Sequence, residues 1–178
     1  MMRGIGIITA CAALLFAAPP AGGQTDDDAR LDRQAQIQQC RALLKQSLVF
    51  ADTGDNDSAL VLLAEALKCD PKNPDVFFHT GRLRLHTGDT TDATAVLQEG
   101  VAKAPLSTRL KLLLARVRIA AGAHEEAAEL VKSVLAVKPR EGEAHYLSGL
   151  IALAQADTVQ AVDAWHRALQ IALEGQAP

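Results

Sequence analysis

Hydrophobic and polar positions divide the chain into three parts. An apolar run covers residues 5–18, a polar stretch covers residues 24–39, and from residue 40 apolar segments of helical length alternate with short polar breaks. This pattern predicts eight helices in four hairpins, over residues 38–53, 57–69, 74–87, 91–103, 107–121, 125–137, 141–155 and 158–174. The breaks also carry helix-start signals, good N-cap residues and a proline at the first helical position: Asn73, Pro74, Asp89, Ser107 and Asp157.

A period of 34 residues runs through the hairpin region. Proline and glycine recur at this interval, as do an alanine column and a bulky column. The members are Pro71, Pro105 and Pro139; Gly54, Gly88 and Gly122; Ala59, Ala93, Ala127 and Ala161; Leu63, Leu97, Val131 and Trp165. A column of small residues precedes them: Ser47, Gly81, Ala115 and Gly149. Small residues let two antiparallel helices approach closely, and proline ends a helix because it lacks an N–H. The pattern predicts stacked helix pairs.

In its period and in these columns, the chain resembles the tetratricopeptide repeat (TPR) family over about residues 40–174. The resemblance implies an all-α fold: a TPR solenoid of about four helix-turn-helix repeats that forms a short right-handed superhelix. The tryptophan usual early in each first helix is absent, and its positions hold Leu43, Phe77, Lys111 and His145. The final unit lacks the closing proline and has Ala156 where the other units have glycine.

The chain therefore divides into four expected segments. A signal peptide covers residues 1–23, a polar leader covers 24–39, the TPR domain covers 40–174, and a tail covers 175–178. The repeat units are expected at about 40–73, 74–107, 108–141 and 142–174. We expect the leader to be solvated and to grade into the first helix.

The first 23 residues have the pattern of a targeting segment. Arg3 precedes the apolar run, which is shorter than the roughly 20 residues that a membrane-spanning helix needs. A small-residue site ending at Gly23 would allow cleavage before Gln24, which predicts a periplasmic or secreted protein without stable membrane insertion after cleavage. Two alternatives stay open: acylation at Cys11, where residues 8–11 resemble a lipobox, and a retained anchor.

Composition and motifs narrow the function. Hydrophobic residues make up 49% and aromatic residues 3%, so the core must consist of Ala, Leu and Val, which suits helices. A net charge of −3 argues against nucleic acid as a partner. The sequence lacks G-x-S-x-G, H-E-x-x-H, P-loop and Cys-x-x-Cys motifs. His79 and His86 lie about 10.5 Å apart along one helix, too far to share a metal. We expect that the protein is not an enzyme and binds no cofactor or metal. A small enzyme or a metal carrier is the remaining alternative.

Two cysteines remain after removal of the signal segment. Cys40 opens the first helix of unit one and Cys69 closes its second helix, so in an antiparallel hairpin the two lie side by side. In an oxidising compartment this pair predicts a disulfide. Its loop of about 30 residues would contribute roughly 3.6 kcal/mol by the chain-entropy relation, less any strain. Two independent thiols, or a redox pair, are the alternatives.

The TPR resemblance also implies a ligand groove, lined by the second, fifth, ninth and twelfth residues of each unit. Carried over, these positions predict an apolar stripe with arginines, and the candidate groove residues are Arg41, Leu44, Leu48, Phe78, Arg82, Leu85, Arg109, Leu112, Arg116, Tyr146 and Leu150. The same four positions also hold Ala51, Asp75, Ile119, Glu143 and Leu153. Arginine suits carboxylate recognition because its planar guanidinium donates two parallel hydrogen bonds. Arg82-x-Arg84 and Arg116-x-Arg118 repeat at the 34-residue interval. The alternative is that these arginines pair with nearby acids or simply keep the surface solvated.

These observations predict a protein–protein interaction module. By its resemblance, the chain is expected to be a periplasmic scaffold or adaptor that holds a protein or peptide partner in its groove. Family roles in envelope complex assembly, secretion and cytochrome maturation fit equally. The subclass that clamps chaperone C-termini is disfavoured, because Leu44 and Leu48 replace its Lys and Asn. The alternative is a homo-oligomer whose groove binds no ligand. Trp165 is expected in the core.

Overall fold

The computed structural model describes residues 24–175, with side chains from residue 27. This part of the chain is all-α, with no strand. Its eight helices are α1 (Gln24–Asp52), α2 (Asn56–Cys69), α3 (Pro74–His86), α4 (Thr90–Lys103), α5 (Thr108–Ala120), α6 (His124–Val137), α7 (Gly142–Ala154) and α8 (Thr158–Glu174). The predicted signal peptide, its alternative at Cys11 and residues 176–178 lie outside the described residues.

The chain divides into two compact units, which are distinct from the repeat units: residues 1–35 and residues 36–178. In the first unit, the described residues 24–35 are helical, and their side chains from residue 27 are exposed. The second unit contains the repeats. In it α3 pairs with α4, α5 with α6 and α7 with α8, while α2, α4 and α6 each pack against the first helix of the following pair. Three hydrophobic clusters between these layers form the core. The predicted TPR solenoid is confirmed.

Local capping sets the helix boundaries. Side chains of all four predicted N-cap residues accept backbone hydrogen bonds at the starts of α3, α4, α5 and α8: Asn73, Asp89, Ser107 and Asp157. Every described helix begins and ends within one residue of its prediction, except at the start of α1. That helix begins at Gln24 rather than at residue 38, because the polar segment contains good helix formers and no proline or glycine.

The two helices of a unit fit together through side chains of matched size. A Cβ added to Gly81 on α3 would lie 2.6 Å from Leu97 Cδ2 on α4, so the glycine makes room for the leucine. In the next unit the same positions hold Ala115 and the smaller Val131, which belong to one core cluster. Volume lost on one helix is therefore regained on the other, which keeps the interior close-packed.

The last unit carries this matching furthest. A Cβ added to Gly149 on α7 would overlap the indole ring of Trp165 on α8. The indole Nε1–H donates a hydrogen bond to the carbonyl oxygen of Tyr146 at 3.2 Å. Trp165 is half-buried rather than fully enclosed, since α8 is the last helix of the described chain. It therefore packs between the two helices of its own hairpin.

The first helix of each unit ends in the same backbone turn. The N–H of Asp89 bonds to the carbonyl of Arg84, the six-to-one bond of a Schellman motif, and equivalent bonds close the other three units. The motif needs a left-handed residue, which is glycine in the first three units. In the last unit it is Ala156, with φ of 63°.

Replacing Ala156 by glycine should stabilise the protein by about 0.5–1 kcal/mol. The left-handed conformation costs a residue with a Cβ about 1–2 kcal/mol, of which the greater chain entropy of glycine cancels a part. The free energy of unfolding in urea measures the effect. Ala154→Gly, two residues earlier in α7, is the matched control and should destabilise by about 0.5–1 kcal/mol. Equal destabilisation by both variants would contradict the assignment of strain to Ala156.

The hairpin geometry brings the two cysteines together. Cys40 is buried on α1 and Cys69 is half-buried at the end of α2, and both are free thiols in the structure. Burial raises the pKa of the Cys40 thiol, and a hydrogen bond and charge from Cys69 raise this pKa further. The thiols are therefore neighbours, as predicted, and the disulfide between them stays a prediction.

Among the described residues, no helix is both long enough and apolar enough to cross a lipid bilayer.

Candidate functional site

An open cleft of about 1130 Å³ lies among the middle repeats and is called the central cleft below. It lies where α3 and α4 meet α5, with one residue, Glu143, from α7. Apolar and cationic side chains of α3 and α5 alternate along it: Phe78, Arg82, Leu85, Arg109, Leu113, Arg116, Val117 and Arg118. A site with apolar walls and a few charged groups suits a ligand that has both characters.

Five of the predicted groove residues line the central cleft: Phe78, Arg82, Leu85, Arg109 and Arg116. All five come from the first helices of the two middle units.

The other predicted positions lie elsewhere. Leu112 is wrong as a groove residue, because it is only 3% exposed and packs in the core between α5, α6 and α7. Leu44 and Leu150 pack partly against core clusters. Arg41 and Tyr146 are exposed, and Leu48 is half-buried, but the cleft does not include them.

Sequence reasoning missed the wall that α4 contributes. This wall is polar and carries several hydroxyl groups: Thr90, Thr91, Thr94, Ala95 and Gln98. The sequence signal for this wall was the presence of three threonines within one and a half helical turns. Threonine has a lower helix propensity than alanine or leucine, so helix formation alone does not account for them. The family resemblance assigns groove positions to the first helix of each unit. It therefore does not include α4, which is the second helix of its unit.

Ion pairs distinguish the cleft arginines from one another. Arg109 Nη1 lies 3.0 Å from Asp75 Oδ1, and Arg116 Nη1 lies 3.7 Å from Glu143 Oε1. For these two, the alternative of pairing with nearby acids is therefore correct. Among the described residues, no carboxylate lies within 4.0 Å of the Arg82 guanidinium. Arg82 is exposed, so its fork is available to a ligand.

Phe78 forms the aromatic centre of the cleft. The Arg109 guanidinium carbon lies 4.2 Å from the Phe78 ring centroid, and that of Arg82 lies 5.9 Å from it. The positive charge of these arginines affects the pKa of the neighbouring His79. Burial, followed by the charges of Arg82 and Arg109, lowers the pKa of His79 below its usual range. The imidazole is therefore neutral near pH 7, and the cleft keeps its positive charge on the arginines.

The second arginine of each Arg-x-Arg pair has a structural role. Arg84 Nη1 lies 3.1 Å from Asp89 and 3.4 Å from Asp92, and Arg118 Nε lies 3.1 Å from Glu126. Each pair links the first helix of a unit to the second. In each motif the first arginine lines the central cleft and the second braces the hairpin, and Arg118 does both.

Metal-ligating side chains are scattered in this part of the chain. Within the described residues, no group of three or more His, Cys, Asp or Glu side chains could hold a metal ion.

Comparison with solved structures gives the same fold. MamA aligns with a TM-score of 0.67 at 18% identity, covering 89% of this chain and 98% of that one. A thermophilic TPR protein of Thermus thermophilus aligns with a TM-score of 0.63 at 23% identity, covering 74% of each chain. A tetratricopeptide repeat protein of Parabacteroides merdae gives a TM-score of 0.66 at 21% identity, covering 75% of this chain and 54% of that one.

Sequence comparison identifies the family. A search of curated proteins finds no match. The family model described as tetratricopeptide repeat matches residues 50–117 and 85–152, which together span more than half of the chain. The chain therefore belongs to the tetratricopeptide repeat family.

Proposed function

We propose that this protein is a non-enzymatic scaffold or adaptor that binds an acidic segment of another protein in the central cleft. TPR proteins are protein-interaction modules. The observation that carries the proposal is the unpaired Arg82 beside Phe78, in a cleft lined by four arginines and one carboxylate. The chain as a whole has a net charge of −3, so this local positive charge is distinctive.

The chemistry of the cleft favours a carboxylate next to an apolar side chain. The Arg82 fork can donate two hydrogen bonds to one carboxylate. The Phe78 ring and Leu85 offer apolar surface for an adjacent side chain, and the threonines of α4 can hydrogen-bond to peptide groups. Arg109 and Arg116 are held by their own acids and supply positive potential, which attracts anionic ligands.

Arg82→Glu should weaken the binding of a short acidic peptide by about 10- to 100-fold, because a charge-assisted hydrogen bond is lost and a repulsive charge is gained. The probe is a fluorescent peptide of alternating Asp and Leu, compared with the same peptide in which Asn replaces Asp. Anisotropy titration at low salt should show that the wild-type protein prefers the Asp peptide, and that added salt reduces this preference.

The matched control is Arg33→Glu, which changes charge identically at an exposed arginine of α1, outside the cleft. It should leave peptide affinity within about twofold. If the Asp and Asn peptides bind alike, or if Arg33→Glu weakens binding as much as Arg82→Glu, binding in the central cleft is refuted.

We further propose that the protein acts in the periplasm or is secreted, after cleavage near Gly23. The basis is the residue pattern of positions 1–23 alone. In that compartment, the roles that the family resemblance offers are envelope complex assembly, secretion and cytochrome maturation. The central cleft fits each of them equally, because all three require a segment of a partner protein to be held.

A further inference from the structure

In each of the first three repeat units, called the inner units below, the second helix packs against the first helix of the next unit. Two positions, seven residues apart, take part in this contact and are both apolar in the first and third units; in the second unit they hold Thr94, which lines the central cleft, and Val101. In the first unit they are Leu60 and Leu67, which pack against the cluster that contains Val76 and Leu83 of α3. In the third unit they are Ala128 and Leu135, which pack against the cluster that contains Leu147 and Ile151 of α7.

Among the described residues no helix follows α8, and the same two positions on α8 are therefore uncovered. They are Val162 and Leu169, and their side chains are 57% and 56% exposed. Val159 and Leu173 extend this face and are also exposed. At the position of Val159, the inner units have the polar residues Asp57, Thr91 and Glu125. The apolar extension is therefore specific to the last unit.

These residues, with the exposed His166, form one narrow stripe, called the α8 stripe: Val159, Val162, His166, Leu169 and Leu173. Their spacings are three, four, three and four, which is the a/d pattern by which helices pair. Val159 and Leu173 are equally far from His166 along the helix. The stripe is therefore self-complementary when a second copy runs in the opposite direction.

The N-terminal end of the solenoid does not match the α8 stripe. Positions that are buried in the third unit as Leu113 and Leu114 correspond on α1 to Lys45 and Gln46, which are exposed. Continued head-to-tail stacking would bury this lysine and glutamine against valine and leucine, which is unfavourable. The exposed Val49 on α1, at the position of Leu83 and Ile151, adds an apolar side chain, so this end mixes polar and apolar groups, whereas His166 is the one polar member of the α8 stripe.

We infer that the α8 stripe binds the α8 stripe of a second copy of this chain, antiparallel, about a two-fold axis that passes near His166. In this arrangement Val162 faces Leu169 of the second copy. Asp163 lies on the same side of the pair as Arg167 of the second copy, which adds charge complementarity twice over. The interface continues the surface that the inner units use between themselves, and it is independent of the central cleft.

Sedimentation equilibrium of the purified full chain tests this dimer. The wild-type mass should rise with concentration to that of a dimer and no further. Val162→Glu with Leu169→Glu should raise the dissociation constant by about 100-fold or more, because four carboxylates would enter the apolar seam. His166→Leu should lower it by about tenfold, because an apolar residue would replace a polar one at the centre.

Matched controls separate the stripe from general surface hydrophobicity. Val61 on α2 is 59% exposed, close to the exposure of Val162, so Val61→Glu should leave the dimer unchanged. His166→Cys should form an intermolecular disulfide across the axis, whereas Gln160→Cys, exposed on α8 outside the stripe, should not. Circular dichroism checks that each variant stays helical.

Three results would overturn the inference. The first is a wild-type monomer at every concentration. The second is a dimer that persists in the double glutamate variant. The third is growth beyond a dimer without crosslinking at position 166, which would indicate head-to-tail assembly instead. Peptide binding to the central cleft should be unaffected by the α8 substitutions, so this inference and the proposed function can fail separately.

Discussion

Gly149→Ala should lower the free energy of unfolding by about 2 kcal/mol, although alanine normally favours a helix by about 1 kcal/mol over glycine. The new methyl group would overlap the Trp165 indole and displace it from the hairpin, together with its hydrogen bond to Tyr146. Trp165 is the only tryptophan of the chain, so its fluorescence reports this hairpin directly. We expect a red-shifted native emission and an earlier urea midpoint.

Two further variants test the cause. Gly142 lies on the same helix, where an added Cβ would meet Ile171 at an ordinary 3.6 Å, so Gly142→Ala should be neutral. Gly149→Ala combined with Trp165→Val reproduces the Ala115 and Val131 pair of the preceding unit and should recover part of the lost stability. If Gly142→Ala destabilises as much as Gly149→Ala, the overlap with Trp165 is not the cause.

Closing a disulfide between Cys40 and Cys69 should raise the free energy of unfolding by about 3 kcal/mol, because it restricts the unfolded chain over a loop of roughly 30 residues. The intact mass of exported protein checks both the bridge and signal cleavage. It should match Gln24 to Pro178 less two hydrogens, which return on reduction. Burial raises the pKa of Cys40, so oxidation of the reduced protein should accelerate as pH rises.

The control for the bridge is Cys69→Ser, whose unfolding should not respond to reductant. A half-buried side chain tolerates this change, so the variant should still fold. Complete alkylation of both thiols in native, unreduced exported protein would contradict the bridge. A mass that still contains residues 1–23 would contradict cleavage near Gly23.

Most of the fold could be predicted because its determinants are local. Asn73 with Pro74 starts a helix by capping and by a fixed φ, whatever surrounds it. The start of α1 could not be predicted so well, because residues 24–39 offer several possible capping residues, Thr25 and Asp26 to Asp28 among them, and no proline or glycine that selects one boundary. The Ala, Leu, Arg and Gln residues of this segment have good helix propensity and favour extension of the helix.

Residues of the candidate site could be predicted only where the position of a residue within its repeat unit determines whether its side chain is exposed. Phe78 and Leu112 share a position, yet Phe78 lines the cleft while Leu112 is enclosed by α6 and α7. Burial of this kind depends on how hairpins stack, which a repeat period does not specify. The pairing of Arg109 with Asp75 across one repeat, and the freedom of Arg82, likewise depend on side-chain positions in three dimensions.

The size-matched residues between paired helices also determine which helices belong together during folding. Every unit shares the same spacing, so a first helix could collapse onto the second helix of a neighbouring unit. If α3 paired with α6, a void would open between Gly81 and Val131; if α5 paired with α8, the Trp165 indole would collide with Ala115. Folding intermediates with wrongly paired helices are therefore higher in energy than the native pairing. Complementary side-chain volumes thus favour the correct register of the repeats.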